Sequence, residues 1–265
     1  NDFNDIGLHY YHDLQFKLHN EFLLICNNCK LIFSEFKLNQ EFYEDYFKVF
    51  EDQSSPLNFD DNTLKIDKLY STEKNNIRFE IIENYLSLNS KILEISSYRG
   101  WGLNDMVAKF DVYGIEPNLP SYKFCVHNFP KLKEKIHYGL FEKSKDFLSI
   151  HGRFDGVIFS QCFRHIPDPR FSLKLLDNIT NENSLVIVDE SLFLDTIYFQ
   201  FKNSSRTIES LNESFIHGKK FYYSTHHLIS LFKEFGFELI NKYNFDSKKV
   251  DGLQLDLLVF KKNDI

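Results

Sequence analysis

Between residues 72 and 189, short apolar runs alternate with helical stretches, and this alternation limits the folds open to the chain more than any other feature. The pattern predicts helices over 72–88, 103–110, 119–128, 142–149 and 169–179. Strands are expected between them at 91–96, 112–116, 135–138, 154–160 and 184–189. A strand followed by a helix and a parallel strand closes as a right-handed crossover, so the repeat implies a mostly parallel, doubly wound α/β sheet. Near the end, 225–235 reads as a helix and 237–245 and 253–261 as strands close together in sequence. These two suit an antiparallel C-terminal edge.

Ahead of this region lies a small α+β segment. "FLLICNNCKLIF" at 22–33 reads as a β-hairpin turning at Asn27-Asn28. "NQEFYEDYFKVF" at 39–50 places Phe42, Tyr46 and Phe50 at four-residue spacing, as on one helical face. "DQSSPLNFDDN" at 52–62 is polar and contains Pro56, so it reads as a linker. Two regions are therefore expected, 1–60 and 61–265. With 43% hydrophobic residues the chain can build a substantial core. Its net charge of −7, with acids and bases interspersed, excludes a broad nucleic-acid footprint, which needs a clustered basic face. A small anionic substrate remains compatible with it. No apolar run approaches the roughly 20 residues of a membrane span. Four cysteines in 265 residues fit a reducing cytoplasm better than a disulfide scaffold. The chain opens at Asn1 rather than Met, which leaves room for an upstream segment.

"KILEISSYRGWGL" at 91–103 is a strand that empties into a turn containing Gly100 and Gly102. A doubly wound sheet binds ligands at the carboxyl ends of its strands, and glycine there permits close backbone approach. "YGIEPN" at 113–118 ends the next strand on Glu116, roughly 20 residues on, where a carboxylate accepts ribose hydroxyls. A dinucleotide site would carry G-x-G-x-x-G, but Ser96 and Tyr98 stand where its first glycines would be. Glu94, inside the strand, suits a ligand with an amino-acid ammonium better than a pyrophosphate. The alternative is an ordinary strand–helix turn.

"ILEISSYRGWGL", "VYGIEPN", "FDGVIFSQCFRHIPDP" and "LVIVDES", in this order and spacing, resemble class I S-adenosylmethionine-dependent methyltransferases, most strongly over 85–195. "KKFYYSTHHLISLFKEFGFEL" at 219–239 resembles the segment before the last hairpin of such enzymes. The resemblance implies a Rossmann-like fold and S-adenosyl-L-methionine as cofactor. It places Glu94, Ser96 and Gly100 along the methionine part, Glu116 at the ribose, and Pro117 and Asn118 beside the adenine. Phe141 and Glu142 follow the third strand, where the family contacts adenine; the other reading is a core Phe and a solvated Glu. Ser160 and Gln161 would lie near the methyl sulfonium.

Methyl transfer needs a positioned acceptor and often a base. His165 follows the fourth strand and is the expected base, its ordinary pKa being near neutrality. Relatives commonly carry Glu-His here; this chain carries Arg164-His165, which puts a cation where it can fork onto a carboxylate or phosphate. A helix-start role for His165 and a surface salt bridge for Arg164 are the alternatives. His226 and His227 fall at a helix start and cannot both face inward, so at most one, His226 being the candidate, meets substrate. His217 precedes Gly218 in a loop and can also reach the mouth. Tyr43 and Tyr46 lie on the segment that, in the sugar methyltransferases this chain resembles, folds over the acceptor.

Cys26-x-x-Cys29 on a hairpin reads as half of a zinc-ribbon site, a domain that those sugar methyltransferases carry. Its other half would come from cysteines upstream of Asn1 or from His9, His12 and His19; without either, the hairpin binds no metal. The expected activity is methylation of a small polar acceptor, such as a sugar, nucleotide-linked sugar or phosphorylated metabolite, at a hydroxyl oxygen. The acceptor can be anionic, and the protein a monomer or homodimer, with a role in surface polysaccharide or secondary-metabolite synthesis. The alternative is a non-catalytic methyltransferase-like binding or scaffold subunit.

Overall fold

The computed structural model describes residues 6–8, 21–26, 28, 31–34, 61–190, 192, 221–246 and 254–263. The larger of two sheets is built from β4 (Lys91–Ile95), β5 (Asp111–Glu116), β6 (Ile136–Tyr138), β7 (Phe154–Ser160), β8 (Thr180–Glu190), β10 (Phe237–Asp246) and β11 (Gln254–Lys262). Its order is β10-β11-β8-β7-β4-β5-β6. The β4–β5, β4–β7, β5–β6 and β7–β8 pairs are parallel, and β11 lies antiparallel between β8 and β10. This is the doubly wound sheet with an antiparallel C-terminal edge that the alternation dictates. The chain reverses direction across the sheet between β4 and β7, so their carboxyl ends form the crevice where such folds bind ligands.

The central strands are buried on both faces, which explains their near-continuous apolar runs. One cluster joins Phe159, Phe163, Leu173, Phe232 and Phe260 on one face. The other joins Ile81, Ile82, Leu103, Val112 and Ile158. Gly114 in β5 permits tight packing there: a Cβ would lie 2.5 Å from Leu103 Cδ1.

The first large helix, α1, spans Asp61–Tyr85 and starts eleven residues before the periodicity predicts. Its inward face explains this. The buried positions Ser71, Lys74, Asn75, Arg78, Ile81 and Ile82 follow helical spacing, but the first four are polar. Arg78 reaches the ends of three strands at once. Its guanidinium pairs with Glu94 of β4 at 2.9 Å, donates to Ser160 Oγ of β7 at 2.7 Å, and pairs with Asp189 of β8. Lys74 lies 3.8 Å from Asp189.

The helix expected over 142–149 is divided into a 3₁₀ turn, Phe141–Lys143, and α4, Lys145–His151. The buried Ser144 at the break bonds back to the Leu140 carbonyl at 2.7 Å, ending the first turn. Helices α2 (Trp101–Met106), α3 (Leu119–Asn128) and α5 (Pro169–Ile179) complete the crossovers. Asn118 and Asp168 cap α3 and α5, accepting backbone N–H bonds at 3.0 Å from Ser121 and Phe171.

The smaller sheet has the order β1-β2-β3-β9, from β1 (Ile6–Leu8), β2 (Glu21–Ile25), β3 (Ile32–Ser34) and β9 (Phe221–Tyr222). Strand β9 pairs Phe221 with Phe33 and Tyr222 with Ile32. It leads into α6, Thr225–Lys233. The Tyr223 ring packs 5.6 Å from Phe163, so the small sheet abuts the turn that carries Arg164 and His165. Residues 39–50 and most of the 52–62 stretch lie outside the described residues. Among the described residues, no helix is long and apolar enough to cross a membrane.

Arg78→Met should leave Glu94 and Asp189 buried without their main counter-charge, a change that costs about 3–5 kcal/mol in comparable sites. Urea unfolding of the variant would measure it, and a loss below about 1 kcal/mol would contradict the role given to Arg78.

Candidate active site

The turn after β4 holds three left-handed residues two apart: Ser96 at φ 61°, Tyr98 at φ 53° and Gly100 at φ 75°. Non-glycine residues pay about 1–2 kcal/mol for this conformation. Tertiary hydrogen bonds hold it: the Ser96 and Ser97 amides donate to the Ile115 carbonyl at 2.8 and 3.1 Å. The Tyr98 amide donates to Glu116 Oε2 at 2.5 Å. At Gly100 no side chain fits, since a Cβ would fall 2.3 Å from Cys125 Sγ. The glycine pattern missing from the sequence is thus present in the backbone.

Glu116 is 3% exposed at the end of β5, and its other oxygen accepts the Asn118 amide at 2.8 Å. Burial pushes its pKa up to about 7, against the lowering effect of the two amides. Glu94 is also raised, by burial acting against Arg78 and Lys74. Its Oε1 binds Arg78, while Oε2 has no hydrogen-bond partner and lies against Gly102.

Beside these groups opens a cleft of about 200 Å³. Six of the residues anticipated from sequence line it: Ser96, Pro117, Phe141, Glu142, Gln161 and His165. The remaining lining comes from Ile95, Ile115, Leu140, Cys162, Ile166 and Pro167, none of which was singled out from the sequence. Phe141 is buried edge-on against Phe159 at 5.9 Å. Glu142 accepts the Ser172 hydroxyl at 2.7 Å, and burial raises its carboxyl above the usual range. Burial raises the Cys162 thiol well above its ordinary value too, so it is neutral. Gln161 is left-handed at φ 52°, with its amide held by Asp189 Oδ1 at 2.5 Å.

Glu94, Gly100, Glu116 and Ser160 sit behind this lining rather than on it. Ser160 is tied to Arg78. Arg164 is also engaged: its backbone amide and its guanidinium both bind Glu190, and its Nε donates to His165 Nε2 at 3.2 Å. His226 is exposed on α6, while His227 caps that helix in a reciprocal bond with Ser224. Tyr43, Tyr46, His217 and Cys29 lie outside the described residues. The Cys26 amide donates to the Leu31 carbonyl at 2.8 Å, and among the described residues no three His, Cys, Asp or Glu side chains gather as metal ligands would. Arg78, Asp189 and Glu190 were not anticipated. The one signal for the acids was a pair of carboxylates ending an apolar strand, "LVIVDE".

Residues 70–242, more than half of the chain, match the family described as a methyltransferase domain. The chain belongs to this family and is a class I S-adenosylmethionine-dependent methyltransferase. Solved structures share its fold. Magnesium protoporphyrin IX methyltransferase from Synechocystis PCC 6803, solved with bound SAH, superposes with a TM-score of 0.56 at 11% identity, covering 85% of this chain and 100% of that one. An S-adenosylmethionine-dependent methyltransferase from Clostridium acetobutylicum gives 0.53 at 11% identity, covering 84% and 99%. The N-methyltransferase NodS from Bradyrhizobium japonicum gives 0.53 at 11%, covering 78% and 100%. No curated protein matches the chain.

The residues present fit the cofactor that this family implies. The strand-end cleft is mainly apolar with polar groups at Ser96, Glu142, Gln161 and His165, as small-molecule sites are, and the buried acids Glu94 and Glu116 stand behind its wall. When bound, that cofactor supplies an electrophilic methyl group.

Two outcomes follow from this geometry. Ser96→Gly should lose no stability, whereas Ser96→Val should lose about 1–2 kcal/mol, because a β-branched residue tolerates positive φ poorly; thermal unfolding compares them. Glu116 has a folded pKa of about 7 against an ordinary 4.5. Its contribution to stability is therefore fully present below pH 4.5 and is lost as pH rises through 7, at most about 3 kcal/mol. Glu116→Gln should flatten this part of the stability–pH curve of the ligand-free protein.

Proposed function

We propose that this enzyme methylates a hydroxyl oxygen of a small polar acceptor, of the sugar or nucleotide-linked sugar class, in the cytoplasm. The observation that carries the site assignment is the convergence of Ser96, Pro117, Phe141, Glu142, Gln161 and His165 on one cleft beside Glu116. In this reading Glu116 accepts the ribose hydroxyls. Pro117, Phe141 and Glu142 surround the adenine, and Glu94, Ser96 and Gly100 hold the methionine end. Ser160 and Gln161 flank the sulfonium. His165 takes the acceptor's proton as general base, and the small sheet beside Phe163 helps enclose the acceptor.

The charge on Arg164 is already matched by Glu190, and Glu142 lines the cleft, so an uncharged hydroxyl acceptor is favoured over a phosphorylated one. Tyr43, Tyr46 and His226 remain proposed acceptor contacts, with a monomer or homodimer as the working unit. Zinc at Cys26 and Cys29 is not needed for this chemistry. The preserved left-handed turn favours a working cofactor site over a scaffold subunit.

Calorimetry with S-adenosylhomocysteine should show binding whose affinity rises up to tenfold per pH unit and levels off above about 7, as Glu116 ionises. Glu116→Ala should lose most of the affinity; unchanged binding would refute the ribose assignment. Once an acceptor is found by screening sugars for methyl incorporation, His165→Ala should lower kcat about 10²–10⁴-fold. Full turnover in that variant across the pH range would remove His165 as the base.

A further inference from the structure

We propose that Glu190 is a positioning residue that sets, through Arg164, which nitrogen of His165 carries the proton. This rests on the reading of His165 as the group facing the acceptor. Glu190 ends β8 and is 1% exposed. One of its oxygens accepts the Arg164 backbone amide at 3.1 Å, and the other pairs with a terminal nitrogen of the same residue's guanidinium. A single buried carboxylate therefore grips one residue at its main chain and at its side-chain tip, which turns the Nε edge of the guanidinium toward His165.

The consequence falls on the neighbouring imidazole. A guanidinium only donates hydrogen bonds. With Arg164 Nε directed at His165 Nε2 at 3.2 Å, that nitrogen must present its lone pair. The proton of the neutral ring then resides on Nδ1. An unconstrained histidine in water mostly holds it on Nε2 instead. The clamp thus keeps Nε2 bare, as the proton-accepting atom of a residue that lines the cleft. An acceptor O–H arriving there replaces the Arg164 N–H as the donor to Nε2 and passes its proton to that nitrogen. The arrangement also accounts for a glutamate buried at the carboxyl end of β8.

The test is the tautomer itself. Long-range proton–nitrogen NMR on protein labelled with ¹⁵N-histidine reads it directly, with His165→Gln identifying the resonance. Wild-type protein should show a protonated Nδ1 and a bare Nε2 at His165. Arg164→Met and Glu190→Gln should move the proton largely to Nε2, and Glu190→Gln should lower kcat about tenfold with KM changed less than twofold. A wild-type spectrum with Nε2 protonated overturns the proposal, and so does an unchanged tautomer in both variants. If either variant unfolds, the wild-type spectrum alone still decides. Calorimetry with S-adenosylhomocysteine is run in parallel: its failure would sink the cofactor assignment and leave the tautomer result standing.

Discussion

The ends of β4, β7 and β8 are held in register by one buried guanidinium. Arg78 spans Glu94, Ser160 and Asp189, and it can do so because α1 crosses the carboxyl ends of these strands with its polar face inward. Charges out of water are tolerated only when they are paired and hydrogen-bonded. With Lys74 also near Asp189, two cations meet two carboxylates in a site largely closed to solvent. Asp189 passes this constraint onward by gripping the Gln161 amide, which holds the left-handed turn after β7. The floor of the crevice is therefore an electrostatic lattice, and the ligand-facing groups are mounted on it.

Two loops present the ligand-facing groups. The turn after β4 adopts left-handed geometry at Ser96 and Tyr98, where glycine would do so with less strain. The Ile115 carbonyl and the Glu116 carboxylate hold it there, so strand pairing and a buried acid take over the role of missing glycines. The turn after β7 is held in the same manner by Asp189 and Glu190. In both places a carboxylate at the end of a neighbouring strand binds backbone N–H groups, so these acids shape the site before any ligand enters it. The raised pKa values of Glu94, Glu116 and Glu142 arise from the same burial.

Much of the cleft was legible because its members stand in local motifs. Pro117 follows the acid that ends β5, Phe141 and Glu142 follow β6, and Gln161 and His165 follow β7. Strand ends can be read from where an apolar run stops, and a doubly wound sheet gathers strand ends at one edge. The apolar lining was not legible, since Ile95 or Leu140 looks like any core residue until its neighbours are known. Nor was the state of Arg164, whose surroundings depend on Glu190, 26 residues away.

By itself the sequence determined the alternation of strands and helices, the parallel sheet with its antiparallel edge, and the family. The alternation and the sheet follow from periodicity, and the family from a resemblance carried by a few local motifs. Only the tertiary structure decided that Ser96 and Tyr98 take glycine-like geometry, that α1 begins at Asp61, and that Arg78, Asp189 and Glu190 organise the site. The physical reason is the range of the forces involved. Hydrophobic patterning is written along the chain, whereas a buried ion pair is defined only when residues such as Arg78 and Asp189, more than a hundred positions apart, are brought out of water together.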